Sequence, residues 1–215
     1  MTQLFDNFKD KTILVTGHTG FKGSWLSIWL THLGAKVVGV SDSEVGKPSN
    51  FSVSAISTVI EDHRLDIRDS DTVKALVKKV QPDFLFHLAA QALVRPSYEN
   101  PIETMTTNAI GTANVLDALR VLNKKVVAVM ITSDKAYDNV EWVWGYRESD
   151  RLGGKDPYSA SKGMAELVIR SYVESFFNDS DSNIRVGVTR AGNVIGGGDW
   201  AVDRIVPDCM EAWAS

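Results

Sequence analysis

The chain has 215 residues, 44% of them hydrophobic, with 23 Lys plus Arg against 27 Asp plus Glu for a net charge of −4. That is enough for one sizeable core, and the mild acidity argues against nucleic acid, whose phosphates demand a basic footprint. The single cysteine, Cys209, excludes an internal disulfide and fits a reducing cytoplasm, and no apolar run nears the about 20 residues of a membrane span. The polar start "MTQLFDNFKDK" lacks the apolar centre of a signal peptide.

Apolar runs of strand length alternate with segments of helical period. "TILVT" (12–16) reads as a buried strand, followed by a helix over 20–33 and a second strand, "KVVGV" (36–40). A polar loop over 42–55 leads to a short third strand at "TVI" (58–60) and a helix over 69–79. "FLFHL" (84–88) precedes a long helix over 103–122, and "VVAVMIT" (126–132) precedes a loop over 138–156 and a helix over 157–177. "IRVGVTR" (184–190) is the sixth strand, and "CMEAWAS" (209–215) starts a last helix. Continuous apolar strands separated by helices predict an α/β fold, a doubly wound, Rossmann-type parallel sheet covered on both faces. The expected division is a dinucleotide-binding domain over 1–190 and the beginning of a substrate-binding region over 191–215. Trp25 and Trp29, one helical turn apart, read as core packing.

"VTGHTGFKGSW" puts Gly17, Gly20 and Gly23 between the first strand and the first helix. A pyrophosphate needs bare amides at a helix N-terminus, where Cβ atoms would block it. Phe21 and Lys22 lie inside this loop, and Lys22 and His18 are candidates for neutralising phosphate. Asp42, past the second strand, can accept the ribose hydroxyls; with no basic residue after it before Lys47, NAD is favoured over NADP. Asp66 and Ile67 in "LDIRD" suit the flanks of an adenine ring. Leu88, Ala89 and Ala90 in "HLAAQ" let a cofactor pass close. His87, inside that strand, reads as a satisfied core histidine.

"YSASK" holds Tyr158 and Lys162 on one face at the front of a helix. Tyrosine ionises near ~10, too high for a base at neutral pH, and a nearby ammonium is expected to lower that value. Such a pair can take the proton of an alcohol while hydride leaves the same carbon. "TSDKAYD" then sets Ser133, Asp134 and Lys135 at the end of the fifth strand. Consecutive residues of a straight strand face opposite sides, so Asp134 and Lys135 can share a ligand only if the strand ends near Thr132 and turns.

The glycine loop, "HLAAQ", the serine-bearing turn and "YSASK" together resemble the extended short-chain dehydrogenase/reductase family over essentially the whole chain. Within it, "GHTGFKGSWLSIWL", "TSDKAYDN" and "GGGDWAVDRIVPD" are similar to the sugar-nucleotide dehydratases that act on CDP-linked glucose. Most related dehydratases carry Asp-Glu after the hydroxyl residue; this chain has Asp134-Lys135, as that branch does. Family members are longer, so the resemblance implies that this chain stops inside its substrate region.

The resemblance implies a lyase with recycled NAD, a nucleotide-sugar substrate, no metal, and a homo-oligomer, dimer or tetramer, paired through the helices 103–122 and 157–177. Tyr158 would take the proton of the 4-hydroxyl and Lys162 hold the nicotinamide ribose. A neutral Lys135 would remove the carbon 5 proton and a protonated Asp134 assist the departing 6-hydroxyl, states that burial beneath the sugar would favour; the alternative is that Lys135 only orients the substrate and Asp134 or a water handles the proton. Ser133 would bond the oxygen at carbon 4, and Asn193, the glycines 196–198 and Arg204 would approach the substrate diphosphate. Arg190 is either a charge for the ligand or a structural ion-pair partner. The product would be a 4-keto-6-deoxy sugar for surface polysaccharide such as O-antigen. An epimerase or reductase using Tyr158 and Lys162 alone, or a non-catalytic NAD-binding protein, remains open at this stage.

Overall fold

A computed structural model describes residues 6–44, 46, 48–201 and 203–214. The first five residues, Lys47 and Ser215, which entered the sequence reading, lie outside this set. Six parallel strands form one sheet in the order β3-β2-β1-β4-β5-β6. They are β1 (Thr12–Thr16), β2 (Lys36–Ser41), β3 (Glu61–Arg64), β4 (Phe84–His87), β5 (Val126–Ser133) and β6 (Ile184–Ala191). The helices are α1 (Phe21–His32), α2 (Asn50–Val53), α3 (Ser70–Val80), α4 (Val94–Glu99), α5 (Pro101–Met105), α6 (Gly111–Leu119), α7 (Pro157–Tyr172) and α8 (Ile205–Ala214). This is the doubly wound architecture expected, and its strand order reverses between β1 and β4, where such sheets open a crevice. No helix among the described residues is long and apolar enough to cross a membrane.

One face is thickly packed: Leu14, Leu85, Ala128 and Met130 meet Val77 of α3, Leu116 and Leu119 of α6, and Ile169 of α7. On the other face, Leu30 of α1 packs on Ile13, Val15 and Val37, with Phe8, Phe84 and Phe86 around them. That second cover thins beyond β4, where Val127 is exposed.

Helix starts follow local chemistry. Asp69 caps α3 by accepting from the amides of Asp71 and Thr72, and its other end turns at Gln81 in the left-handed region, φ 49°. Asp156 caps α7 by accepting from the Ser159 amide, with Pro157 in the first turn. That fixes where Tyr158 and Lys162 emerge.

Several sequence expectations shift. The third strand is not the apolar "TVI" but the polar Glu61–Arg64; Ile56–Thr58 is a short 3-10 turn. β3 is an edge strand bonded only to β2, and charged side chains there discourage further pairing. The long helix expected over 103–122 is built of α5, a π-helical turn (Thr106–Ile110) and α6, and α4 before it was unforeseen. The last helix begins at Ile205, four residues earlier than expected. Trp25 and Trp29 are each 49% exposed rather than in the core. Trp25 instead donates its indole N–H to the Gly197 carbonyl at 2.8 Å.

Leu85, fully buried on β4, gives a test of the packed face. Leu85→Ala is expected to cost about 2–5 kcal/mol, read as a lower urea midpoint with an unchanged slope.

Candidate active site

The turn after β1 brings backbone against backbone. Gly17 has φ +73°, and a Cβ there would sit 2.6 Å from the Ala89 amide nitrogen. A Cβ on Gly23 would sit 2.0 Å from the Gly17 carbonyl oxygen. Only glycine fits either position. Gly20 precedes α1 without a side-chain cap, which leaves the first amides of the helix available to an anion.

These residues floor a cleft of about 350 Å³. Phe21 and Lys22 stand beside the three glycines, Leu88, Ala89 and Ala90 line its middle, and Asp42, Asp66 and Ile67 one end. All eleven cleft positions named from the sequence outside the Tyr158–Lys162 pair therefore converge. The far wall comes from the segment after β6: Gly198, Asp199, Trp200 and Arg204. Gly198, at φ +84°, rests against Asn50 of α2, and Gly196 against the Phe21 ring of α1, so this segment is docked on both helices.

The sequence reading missed Gln91, Leu93 and Pro96 in the lining, for which no residue pattern gave a signal. It also looked for a basic neighbour of Asp42 only along the chain. The fold brings Arg68 within electrostatic reach of Asp42. That guanidinium is already engaged by Asp66, at 2.6 Å, and Glu103, at 3.3 Å. Its hydrogen bonds hold the Asp66 carboxyl below the usual range.

The second cluster abuts this cleft: Arg204 acts electrostatically on Tyr158, and Lys22 on Lys162. β5 runs to Ser133, one residue further than expected, and then turns through a 3-10 segment, Asp134–Ala136. The Ser133 hydroxyl accepts from the Lys135 amide at 3.2 Å and donates to the Asp134 carboxylate at 3.0 Å. The strand thus ends and turns at Asp134 and Lys135, the condition set for the two to share a ligand. Asp134 and Lys135 are both exposed, whereas Tyr158 and Lys162 are 9% and 7% exposed.

Lys162 Nζ lies 5.9 Å from the centre of the Tyr158 ring. Burial brings the Lys162 ammonium down to about 8, with Lys22 adding repulsion. Tyr158 is pushed above its ordinary value by burial, only partly offset by the Ser133 hydroxyl and Arg204. The expectation that Lys162 lowers the tyrosine is thereby corrected: desolvation, with Asp134 and Asp156 beside it, outweighs Arg204 and the Ser133 hydroxyl.

Other candidates separate clearly. Asn193 is exposed and lines no part of the cleft. His18 is not a phosphate neutraliser: it is fully buried, its Nε2 bonded to Asp62 at 2.9 Å and its ring edge-on to Phe51. Arg190 takes the structural alternative, a buried pair with Glu166. His87 is the satisfied core histidine expected. Thr112 gives its proton to the Asn108 carbonyl, so it accepts from His87 Nε2, at 3.0 Å, and Nδ1 accepts from Thr16 at 2.7 Å.

That arrangement suits only the neutral ring, whose pKa burial lowers to about 3. The unfolded histidine takes up its proton near ~6.5, so between these values the unfolded chain binds more protons, and stability is lost as the pH drops from about 6.5 toward about 3. In NMR titration the His87 ring signals should stay constant from about pH 7 to about pH 4, while His87→Gln should flatten the corresponding fall in stability.

A parallel sheet reversing at a glycine turn, with a cleft and a Ser-Tyr-Lys cluster at that edge, defines a doubly wound, Rossmann-type fold. The chain matches the GDP-mannose 4,6 dehydratase family model over residues 14–182 and belongs to that family. It is 48% identical over 209 residues to the CDP-glucose 4,6-dehydratase of Salmonella typhimurium, covering 96% of this chain and 58% of that protein. Among solved structures it resembles the epimerase Mth375 of Methanothermobacter thermautotrophicus, with TM-score 0.82 at 24% identity over 99% of this chain and 60% of that one. It also resembles MoeE5 in complex with UDP-glucose and NAD, with TM-score 0.74 at 25% identity over 94% of this chain and 60% of that one.

Proposed function

We propose that the protein is an NAD-dependent CDP-glucose 4,6-dehydratase, forming CDP-4-keto-6-deoxyglucose and water, with residues 191–215 beginning its substrate-binding region. The observation that carries this reading is the turn at Ser133, which leaves Asp134 and Lys135 beside the hydroxyl that faces Tyr158. A plain dehydrogenase or epimerase needs the hydroxyl, tyrosine and lysine but not that acid and amine. Similarity to the Salmonella dehydratase supports the CDP sugar.

The cleft fits NAD. Gly17 and Gly23 leave spaces that a Cβ would fill, α1 offers its first amides to the pyrophosphate, and Asp42 and Asp66 line the adenosine end. Held there, NAD would supply a hydride acceptor for carbon 4 of the hexose and a hydride donor for carbon 6 once water has left. Tyr158 takes the 4-hydroxyl proton, with Ser133 bonded to the same oxygen. Lys162 would hold the nicotinamide ribose. The new ketone acidifies the carbon 5 proton, which Lys135 removes while Asp134 protonates the departing 6-hydroxyl, and the Lys135 ammonium gives a proton back to carbon 5 when carbon 6 is reduced. Arg204 and Lys22, cationic and lining the cleft, favour a ligand rich in phosphate.

Exposed Ile102, Ile110 and Leu167 on the helices of one side support a homo-oligomer paired there. The lone Cys209 supports a cytoplasmic enzyme.

Incubation of the full chain with CDP-, dTDP- and GDP-hexoses tests the reading. CDP-glucose should yield a 4-keto-6-deoxy sugar without net NADH, and Lys135→Met and Asp134→Asn should each slow it about 10²–10⁴-fold. A carbon 4 epimer as the only product would sink the dehydratase reading. Asp42→Ala should weaken NAD binding by about tenfold in calorimetry, the scale of one charge-assisted hydrogen bond.

A further inference from the structure

One buried charge cluster outside the cleft joins every element that carries the candidate reacting groups. Glu166 stands on α7 one turn beyond Lys162 and is 6% exposed. Arg190 of β6 grips it with a fork: Nε donates to Oε1 at 2.8 Å and Nη2 to Oε2 at 3.0 Å. Thr132 of β5, paired in register with Arg190, donates its hydroxyl to the same carboxylate. Arg190 also reaches outward. Its Nη1 donates to the Glu148 carbonyl at 3.1 Å, and its guanidinium lies 4.7 Å from the centre of the Tyr137 ring, just past the turn at 134–136.

Stability alone is a poor reason for this arrangement, because a buried ion pair often stabilises no more than an apolar pair of equal volume. A forked guanidinium–carboxylate contact does supply direction. Thr132 immediately precedes Ser133, and Glu166 follows Lys162 by four residues. The cluster therefore sets the spacing between the turn bearing Asp134 and Lys135 and the helix face bearing Tyr158 and Lys162.

We propose that Glu166 and Arg190 are positioning residues, a latch that holds the elimination pair Asp134–Lys135 in register with Tyr158 and Lys162. The chemical consequence rests on the dehydratase reading; the structural one does not. Tyr158 and Lys162 share a helix and keep their relation without the latch, so oxidation at carbon 4, which touches the other element through Ser133 alone, is slowed less than elimination. Proton removal at carbon 5 depends on the other element, and a misplacement of about 1 Å costs on the order of a hundredfold.

The test compares the full wild-type chain with Arg190→Lys and with the double variant Glu166→Gln/Arg190→Met, in which no unpaired charge stays buried. With NAD and CDP-glucose, both variants should keep NAD affinity and exchange the carbon 5 proton with solvent on the order of a hundredfold more slowly. Their steady-state fraction of reduced nicotinamide should rise. Amide hydrogen exchange should quicken over residues 133–137 and stay unchanged over 126–130. A fall in melting temperature with the reduced fraction and exchange pattern of the wild type would mean a purely structural pair and overturn the latch. Should the wild type make no 4-keto-6-deoxy sugar, the dehydratase reading fails and the exchange measurement decides alone: selective loss over 133–137 supports the latch, and unchanged protection overturns it.

Discussion

Backbone touching backbone at the reversal of the sheet is the constraint on which the molecule depends. β1 and β4 are neighbours whose connections leave on opposite faces, so their carboxyl ends part and leave a crevice. The turn after β1 can close the floor of that crevice only if Gly17 presses directly on Ala89. Gly23 makes the second close approach, laying the first turn of α1 onto the same loop. A helix terminus thus faces the crevice with its amides unshielded by side chains. The cleft, the approach of Lys22 and the docking of the 196–200 segment on α1 all follow from these contacts.

Charge is distributed unevenly around that floor. Lys162 is buried and Lys22 stands exposed at the rim, both below their ordinary pKa; Lys22 adds to the lowering of Lys162, and Arg204 to that of Lys22. Three cations in a partly desolvated site repel one another, and a ligand carrying phosphates would relieve that repulsion. The opposite end is acidic, with Asp42, Asp66 and Glu103 around the single guanidinium of Arg68. A ligand with phosphate in the middle and neutral hydroxyls at that end matches both halves.

Five of the six strands, the glycine turn and the Tyr158–Lys162 face were readable from residue order, because each depends on spacing within a short stretch. β3 was not: apolar "TVI" outweighed polar "EDHR" in a local reading, while edge position, a property of the sheet, is what makes charged residues suitable there. Trp25 failed for a similar reason. A tryptophan on an amphipathic pattern reads as core, yet its indole is used to hold a glycine segment 172 positions away in the chain. His18 sits within the glycine loop in sequence but points away from the cleft, toward Asp62.

Local order was therefore sufficient for the chain to declare a doubly wound sheet, a phosphate-compatible turn and a set of polar groups at strand ends. These are matters of period, glycine and helix caps, each decided within a few residues. Folding alone decided how the groups stand to one another. Arg68 meets Asp66 and Glu103, Glu166 grips Arg190 beside Thr132, and burial raises the Tyr158 phenol where the nearby lysine suggested the reverse. Solvent exclusion and contacts between distant segments are collective quantities, and they exist only once the whole chain has packed.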